Sequence, residues 1–358
     1  MLPIENLQKN LKSDEAAIII KPENRRYYTG MNTSNGLVLV TTEEMYFFTD
    51  FRYILAAKKF IPSCIKSALF EISMTNTIKN YLSKTKCKKI LFEENFVTHS
   101  MMTGFLDILG DFEFINGENT ISDLRIVKSE DELDSIRQAQ KITDDAFLYI
   151  IDFISSKWKN GLTEKEIALE LEFQMRRIGS GVMPFSIILA SGENSALPHA
   201  VPGDKRILEG DFVTMDFGAT VNDYASDMTR TIAIHHVSDK QTLIYEIVKT
   251  AQEKALSYIK AGVTGVDVDG IARDYIKSQG YGEFFGHSLG HGVGLNIHEM
   301  PSFSMSYSGI IPENSVMSVE PGIYIENEFG VRIEDLIAVK KDGLENFTKS
   351  EKNLIILK

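Results

Sequence analysis

Cysteine is scarce in this 358-residue chain. Cys64 and Cys87 are the only two, with no CxxC spacing and no ligand cluster around them. That argues against a disulfide framework or a thiolate metal site and fits plain thiols in a reducing compartment. Positive charge is also in deficit. With 38 Lys and Arg against 50 Asp and Glu, the net charge is -12. The average surface field would repel a polyanion, so nucleic acid and anionic membranes are disfavoured as partners. Long apolar runs are missing. Stretches such as Ala16–Ile20 are of strand length, far below the roughly 20 residues that span a bilayer. Met1–Leu11 lacks the basic start and apolar centre of a signal peptide. The expected location is cytoplasmic. No nucleophilic Ser or Cys motif, P-loop or dinucleotide fingerprint is present, and the glycine-rich Gly286–Gly294 does not follow the GxGxxG pattern.

What remains is an ordinary globular composition, 43% hydrophobic and 25% charged. The length predicts two domains. Residues 1 to about 122 read as a small α/β unit. Ala16–Ile20, Gly36–Val40, Met45–Thr49 and Lys89–Phe92 are strand candidates, the second and third forming a hairpin. Helical stretches are expected around Phe51–Lys59 and Thr98–Leu109. His99, the only histidine of this region, reads as a structural or surface residue.

A boundary is expected near Ser122–Lys128. Ser129 with Glu132 forms a capping box that opens a helix, and Thr163 with Glu166 opens a second, which ends at Gly179. Ser238 with Gln241 then caps a long helix, and a short one ends at Gly280. Lys159-Asn-Gly161-Leu-Thr163 and Lys260-Ala-Gly262-Val-Thr264 are offset by 101 residues, and so are Gly179 and Gly280. Equal offsets at both ends favour two related halves over a coincidence of generic caps.

Four of the seven histidines, His199, His287, His291 and His298, lie in one stretch of about 100 residues among glycines and carboxylates. Asp216 ends an apolar strand, and Asp227 opens another eleven residues later, with Gly218–Tyr224 reading as the turn between them. A hairpin would bring these two acids together, and paired carboxylates need a positive partner. Gly286–Glu299 carries three histidines among glycines that permit close backbone approach. Glu320 ends a strand stopped by Pro321 and Gly322. Gly330–Val339 reads as one strand, with Arg332 and Glu334 on the same face. Glu334 in so apolar a segment requires a cation, either Arg332 or a metal. The donor set suits a hard or borderline divalent ion such as Mn²⁺, Co²⁺ or Zn²⁺. Four carboxylates balance two such ions, and a dinuclear pair can activate water and clamp a tetrahedral intermediate.

Asp216, Asp227, His291, Glu320 and Glu334 occur in that order with flanks DFG, SDMTRT, GHGVGL-x-x-HE, EPG and RIED. In this the chain resembles the pita-bread metallopeptidases of the Xaa-Pro aminopeptidase and Xaa-Pro dipeptidase (prolidase) group. The resemblance spans nearly the whole chain, with Thr49-Asp-Phe-Arg-Tyr53 in a region similar to the family's N-terminal domain. It implies an α+β architecture: a creatinase-like domain over residues 1–122, then a pita-bread catalytic domain over 123–358 with two pseudo-symmetric halves. It implies two divalent ions, Mn²⁺ favoured. Asp216 would chelate one ion, His291 and Glu320 the other, and Asp227 and Glu334 would bridge them. His199 would hydrogen-bond the substrate, and His298 would face the scissile carbonyl. His287 would line a proline pocket walled also by Tyr324 and Phe185. Arg332 would orient carboxylates from behind, and Glu320 would double as general base. A homodimer, the N-terminal domain of one copy covering the neighbour's active site, is implied by the same likeness.

The implied substrate is a peptide with proline in second place, whose tertiary amide has no N–H for a strand-reading protease to grip. Methionine aminopeptidase shares the five ligands but usually lacks the N-terminal domain, and creatinase shares the fold without the ligands. Non-catalytic binding relatives typically lose ligands that are all present here. Prolidases of the group often carry an arginine shortly after the HE motif, and Ser302 stands there in this chain. That departure favours an aminopeptidase over a dipeptidase.

Overall fold

A computed structural model describes residues 1–70 and 73–358, in two compact units, Met1–Arg125 and Ile126–Lys358. The first contains α1 (Pro3–Asn10), β1 (Glu15–Ile19), α2 (Pro22–Thr29), β2 (Leu37–Thr41), β3 (Met45–Thr49), α3 (Ile54–Phe60), β4 (Lys66–Leu69), α4 (Met74–Leu82), β5 (Lys89–Phe92), α5 (His99–Leu109), β6 (Glu113–Asn116) and α6 (Glu118–Ile121). Among the described residues the strands form one sheet in the order β4-β3-β2-β1-β5-β6. The β1–β2 and β2–β3 pairs are antiparallel and the others parallel. β1 and β2 are apolar almost throughout because both faces are covered. Ala17, Ile19, Val38 and Val40 pack with Ile4, Leu7 and Ile121 on one face. Ala16, Ile18, Leu37 and Leu39 pack with Ile78, Phe105 and Leu109 on the other. The helix expected from Phe51 begins only at Ile54. Asp50 accepts hydrogen bonds from the backbone N–H and guanidinium of Arg52 and turns the chain first. His99 is exposed at the start of α5.

The second unit opens with α7 (Glu130–Lys157) and α8 (Glu164–Arg177), followed by β7 (Ile188–Ser191), β8 (Phe212–Phe217), β9 (Thr220–Val221), β10 (Tyr224–Ala225) and β11 (Met228–Ile234). Then come α9 (Asp239–Tyr258), α10 (Gly265–Ser278), β12 (Gly290–Gly292), β13 (Glu299–Phe303), β14 (Val316–Val319), β15 (Gly322–Ile325), β16 (Phe329–Arg332), β17 (Asp335–Lys340), β18 (Gly343–Asn346) and β19 (Ile356–Leu357). One sheet runs β19-β11-β8-β7 and another β13-β12-β14-β17-β18, with β15 and β16 forming a separate ribbon.

The two helix pairs match. Capping boxes at Ser129/Glu132 and Ser238/Gln241 start α7 and α9. Thr163 and Thr264 accept the N–H groups of Glu166 and Asp267 in the first turns of α8 and α10, and each makes an antiparallel bridge, to Arg206 and to Ile310. Gly161 and Gly262 precede them with φ of 83° and 93°, a left-handed conformation in which glycine carries no steric penalty. Ile150, Ile154, Ile167 and Leu171 cover the β8–β11 sheet, and Ile244, Val248, Ala251 and Ile276 pack with Met317, Val319 and Ile337. Each of the Ile, Leu, Val and Met side chains among these contributes about 1.5–3 kcal/mol by leaving water.

Two local readings are corrected. The segment 218–224 is not a plain turn. It includes β9, which pairs with β10 around Asn222 and Asp223, both at positive φ. Gly330–Val339 is two strands in different sheets. The ladder breaks at Ile333 and Glu334, where Glu334 N–H donates to Thr229 O, carrying the chain from β16 to β17.

Candidate metal centre and substrate cavity

The antiparallel register of β8 and β11 sets Thr229 opposite Asp216. Asp216 therefore points from one strand while Asp227 lies just before the other. His291 is the middle residue of β12. That strand approaches its neighbour closely: a Cβ on Gly290 would lie 2.0 Å from Ser318 O. Glu320 sits between β14 and β15, and Glu334 between β16 and β17. Interior strands of both sheets and the short links beside them thus bring these five side chains together.

Ligand atoms of Asp227, His291 and Glu334 lie within 4.8 Å of one another. His291 Nε2 is 3.2 Å from Glu320 Oε1 and 3.6 Å from Asp227 Oδ2. Its Nδ1 faces Gly292 O at 3.2 Å. Nδ1–H serves that carbonyl, and without a metal Nε2 is protonated towards Glu320; loss of that proton would turn the Nε2 lone pair towards the carboxylates, with tautomer and orientation fixed as in metal sites. Ser318 Oγ donates to Glu320 Oε1 at 3.1 Å and accepts the His291 N–H at 3.0 Å. Arg332 spreads its donors over Asp216 Oδ2 (2.7 Å), Thr229 Oγ1 (3.1 Å), Tyr324 Oη (2.9 Å) and Pro198 O (3.2 Å). Thr229 Oγ1 in turn donates to Glu334 Oε2 at 2.7 Å.

This cluster wants more positive charge than these side chains supply. Burial, with the charges of Asp227, Glu320 and Asp216, pushes the Glu334 carboxyl well above the usual carboxylate range. Burial and Asp216 do the same to Asp227. Burial also raises Asp216, against the pull of Arg332. Glu320 goes the other way: burial opposes its charge, but the hydrogen bond and charge of His291 hold it low. Burial likewise opposes a charged His291, yet Glu320 and Asp227 raise it to about 9. Among the described residues no donor reaches Asp216 Oδ1 or Glu334 Oε1, both buried. Leaving such oxygens unpaired is costly. Two orphan carboxylate oxygens and mutually repelling acids are what a divalent cation relieves, and an imidazole that can give up its Nε2 proton adds a nitrogen ligand, so the residues fit such an ion.

Around the cluster lies a cavity of about 590 Å³. Its wall includes Asp216, Asp227, His291, Glu320, Glu334 and Arg332, and also His199, His287, His298 and Phe185. Tyr324 is not in the wall. It stands behind His287, accepting from Arg332 and donating to His287 Nε2 at 2.9 Å, while His287 Nδ1 donates to Ser288 O at 2.8 Å. His287 is thereby held neutral, and burial pulls its pKa down. His298 packs edge-on against His291, ring centroids 4.3 Å apart, and burial followed by the His291 charge lowers its pKa. Ile187, Ile188, Val201, Pro202 and Ile297 supply an apolar side. Sequence reasoning did not single out Thr229 or Ser318. The period of two from Asp227 could have found Thr229, and the same period from Glu320 could have found Ser318.

The Metallopeptidase family M24 signature matches residues 134–341, and the Creatinase/Prolidase N-terminal domain matches residues 3–127. The chain is similar to the Xaa-Pro dipeptidase of Pyrococcus furiosus, at 38% identity over 98% of this chain and 99% of that one. The structure superposes on an Xaa-Pro dipeptidase from Bacillus anthracis with a TM-score of 0.94 at 39% identity, covering 99% of each chain. It superposes on an X-Pro aminopeptidase from Thermotoga maritima with a TM-score of 0.89 at 37% identity, covering 98% of this chain and 99% of that one. The architecture is therefore the expected α+β one, with a pita-bread second unit. Likeness of this extent, joined to a carboxylate–histidine cluster built for a cation, identifies the chain as a member of metallopeptidase family M24 and a metal-dependent peptidase.

Proposed function

We propose that this peptidase is an Xaa-Pro aminopeptidase, releasing the N-terminal residue from peptides with proline in second place. Relatives named for dipeptidase and for aminopeptidase activity resemble it about equally, so their names support the proline preference and leave substrate length open. The observation that carries the choice is the charge of the cavity wall. Among the described residues that line the cavity Arg332 is the only Lys or Arg, and its guanidinium is engaged with Asp216, Thr229, Tyr324 and Pro198. Ser302 lines the wall where a cation for a dipeptide's free carboxylate is expected. A dipeptide would have to bury that carboxylate without a partner, which is costly, whereas a longer peptide presents a neutral amide there.

Asp216, Asp227, His291, Glu320 and Glu334 would hold two divalent ions, with Mn²⁺ favoured by the oxygen-rich donor set. Such ions, when bound, supply Lewis acidity and lower the pKa of water. Glu320, held ionised beside His291, takes the proton from the attacking water on its carboxylate and returns it to the departing imide nitrogen. His298 faces the oxygen on which negative charge develops. His199, on the loop whose Pro198 carbonyl is tied to Arg332, hydrogen-bonds the substrate backbone. His287 and Phe185 border the proline ring, with Tyr324 fixing the His287 imidazole from behind. The reading is tested by chelating the protein, restoring Mn²⁺, Co²⁺ or Zn²⁺, and offering Ala-Pro, Ala-Pro-Ala and Met-Ala-Ala. Metal-restored cleavage of Ala-Pro-Ala is expected. Cleavage of Ala-Pro alone would make the enzyme a dipeptidase, and turnover of Met-Ala-Ala alone would overturn the proline assignment.

A further inference from the structure

His287 stands on a segment, Phe285–Leu289, that lies between the short turn at Gly282–Phe284 and β12, outside the strand ladders. One ion pair on α10 holds it. Arg273 Nε and Nη2 donate to Asp269 Oδ2 and Oδ1 at 2.6 and 2.9 Å, and Asp269 is 1% exposed. The same guanidinium donates to Phe285 O at 3.0 Å through Nη1 and to His287 O at 2.7 Å through Nη2. Asp269 Oδ1 also accepts the Leu289 N–H at 3.0 Å. Three alternate residues, 285, 287 and 289, are thus tied to one pair, its carboxylate buried and its guanidinium half-buried. The Arg273 guanidinium also lies 4.3 Å from the Phe285 ring centre, and that ring meets the His287 imidazole edge-on at 5.1 Å.

We propose that Asp269 and Arg273 are positioning residues for specificity: their ion pair sets how far His287 enters the cavity, and so which ring is accepted after the scissile bond. The planar fork of arginine makes this possible. It engages a carboxylate with two donors while others point at backbone carbonyls, which the single ammonium of lysine cannot reproduce. From above, the Tyr324 hydroxyl fixes the imidazole; from below, the pair fixes its backbone. A side chain held at both ends discriminates shape better than one held at a single end, because accommodation of a wrong ring must then break a hydrogen bond. This inference rests on the proposed placement of proline beside His287.

The test uses the full chain carrying Arg273→Lys, with Asp269→Asn as the second variant in case the first does not fold. Two readouts are compared with wild type. The first is kcat/KM for Ala-Pro-Ala against analogues whose proline is replaced by the four-membered azetidine or the six-membered pipecolic ring. The second is the ¹⁵N signature of His287 in uniformly histidine-labelled protein, located with His287→Gln. Expected are a fall of roughly tenfold or more in preference for the five-membered ring and loss of the single Nδ1–H tautomer of His287. Equal losses on all three rings with an unchanged His287 signature would mean a merely structural pair and overturn the proposal. If wild type cleaves none of the three peptides, the Xaa-Pro reading and the ring-selection claim both fail, and the ¹⁵N signature still decides whether the pair positions His287.

Discussion

Arg332 Nη2 lies 2.7 Å from Asp216 Oδ2, joining residues 116 positions apart in the chain. The guanidinium does more than neutralise one acid. Through Thr229 it is linked to Glu334, and through Tyr324 to His287. Arg332→Lys keeps the charge and loses the fan of donors. It should weaken metal binding about 10–100-fold, the range typical of removing a partner behind a ligand. Calorimetric titration of the chelated protein with Mn²⁺ checks this, and unchanged affinity would remove Arg332 from the set that holds the acids in place.

Metal binding should release protons. His291 is raised to about 9, so at pH 7 the cluster without metal retains a proton that a cation must displace, and the upward push on Glu334 and Asp227 acts in the same direction. Release is largest below those raised values and fades as pH rises through them. Calorimetry at pH 7 in buffers of different ionisation enthalpy measures the number directly. A value of zero would contradict the electrostatic picture of the cluster.

Asp335, next in sequence to Glu334, is fully buried and paired with Arg230 and Lys352 at 2.8 Å each. Asp335→Ala leaves the buried Arg230 charge without its carboxylate and should cost about 3–5 kcal/mol of stability. Burial alone would raise the Asp335 pKa, but Arg230 and Lys352 bring it below its ordinary value. A depressed carboxylate stabilises the fold above its unfolded pKa of about 3.9, and that contribution disappears as pH falls through the lower folded value. Urea midpoints of wild type and Asp335→Asn, compared from neutral pH downward, should therefore converge on acidification. A gap that widened with acid would refute the assignment.

Ser302→Arg should move the enzyme towards dipeptides. A guanidinium on the cavity wall would meet the free carboxylate of Ala-Pro, and a hydrogen bond between charged groups contributes about 1.5–3 kcal/mol. The ratio of kcat/KM for Ala-Pro over Ala-Pro-Ala should rise roughly tenfold or more. Steady-state kinetics on the two peptides check it, and an unaltered ratio would mean that substrate length is read elsewhere.

Much of the second unit was legible because its signals are local. Capping boxes at Ser129, Thr163 and Ser238 mark helix starts within a residue, and acids at the ends of apolar strands advertise Asp216 and Glu320. Thr229 escaped notice because a threonine in a strand is unremarkable until the register pairs it with Asp216. The break between Arg332 and Asp335 escaped because no glycine or proline marks it; the cause is the bond from Glu334 N–H to Thr229 O, a contact over 105 residues. In the first unit β4 and β6 are only partly buried and carry no clear alternation, so their apolar content never rises above that of a loop.

The doubled helix-and-sheet plan has a consequence for how the enzyme comes into being. Asp216 and Asp227 belong to one half, and His291, Glu320 and Glu334 to the other. Neither half holds all five residues proposed as ligands, so that centre would form only along the seam where both meet. Closing that seam joins residues about a hundred positions apart, so its contacts must offset the loop-closure entropy of the intervening chain. A chain lacking its second half would lack His291, Glu320 and Glu334, and also β19, which closes the first sheet against β11, so the proposed centre would await the completion of the fold.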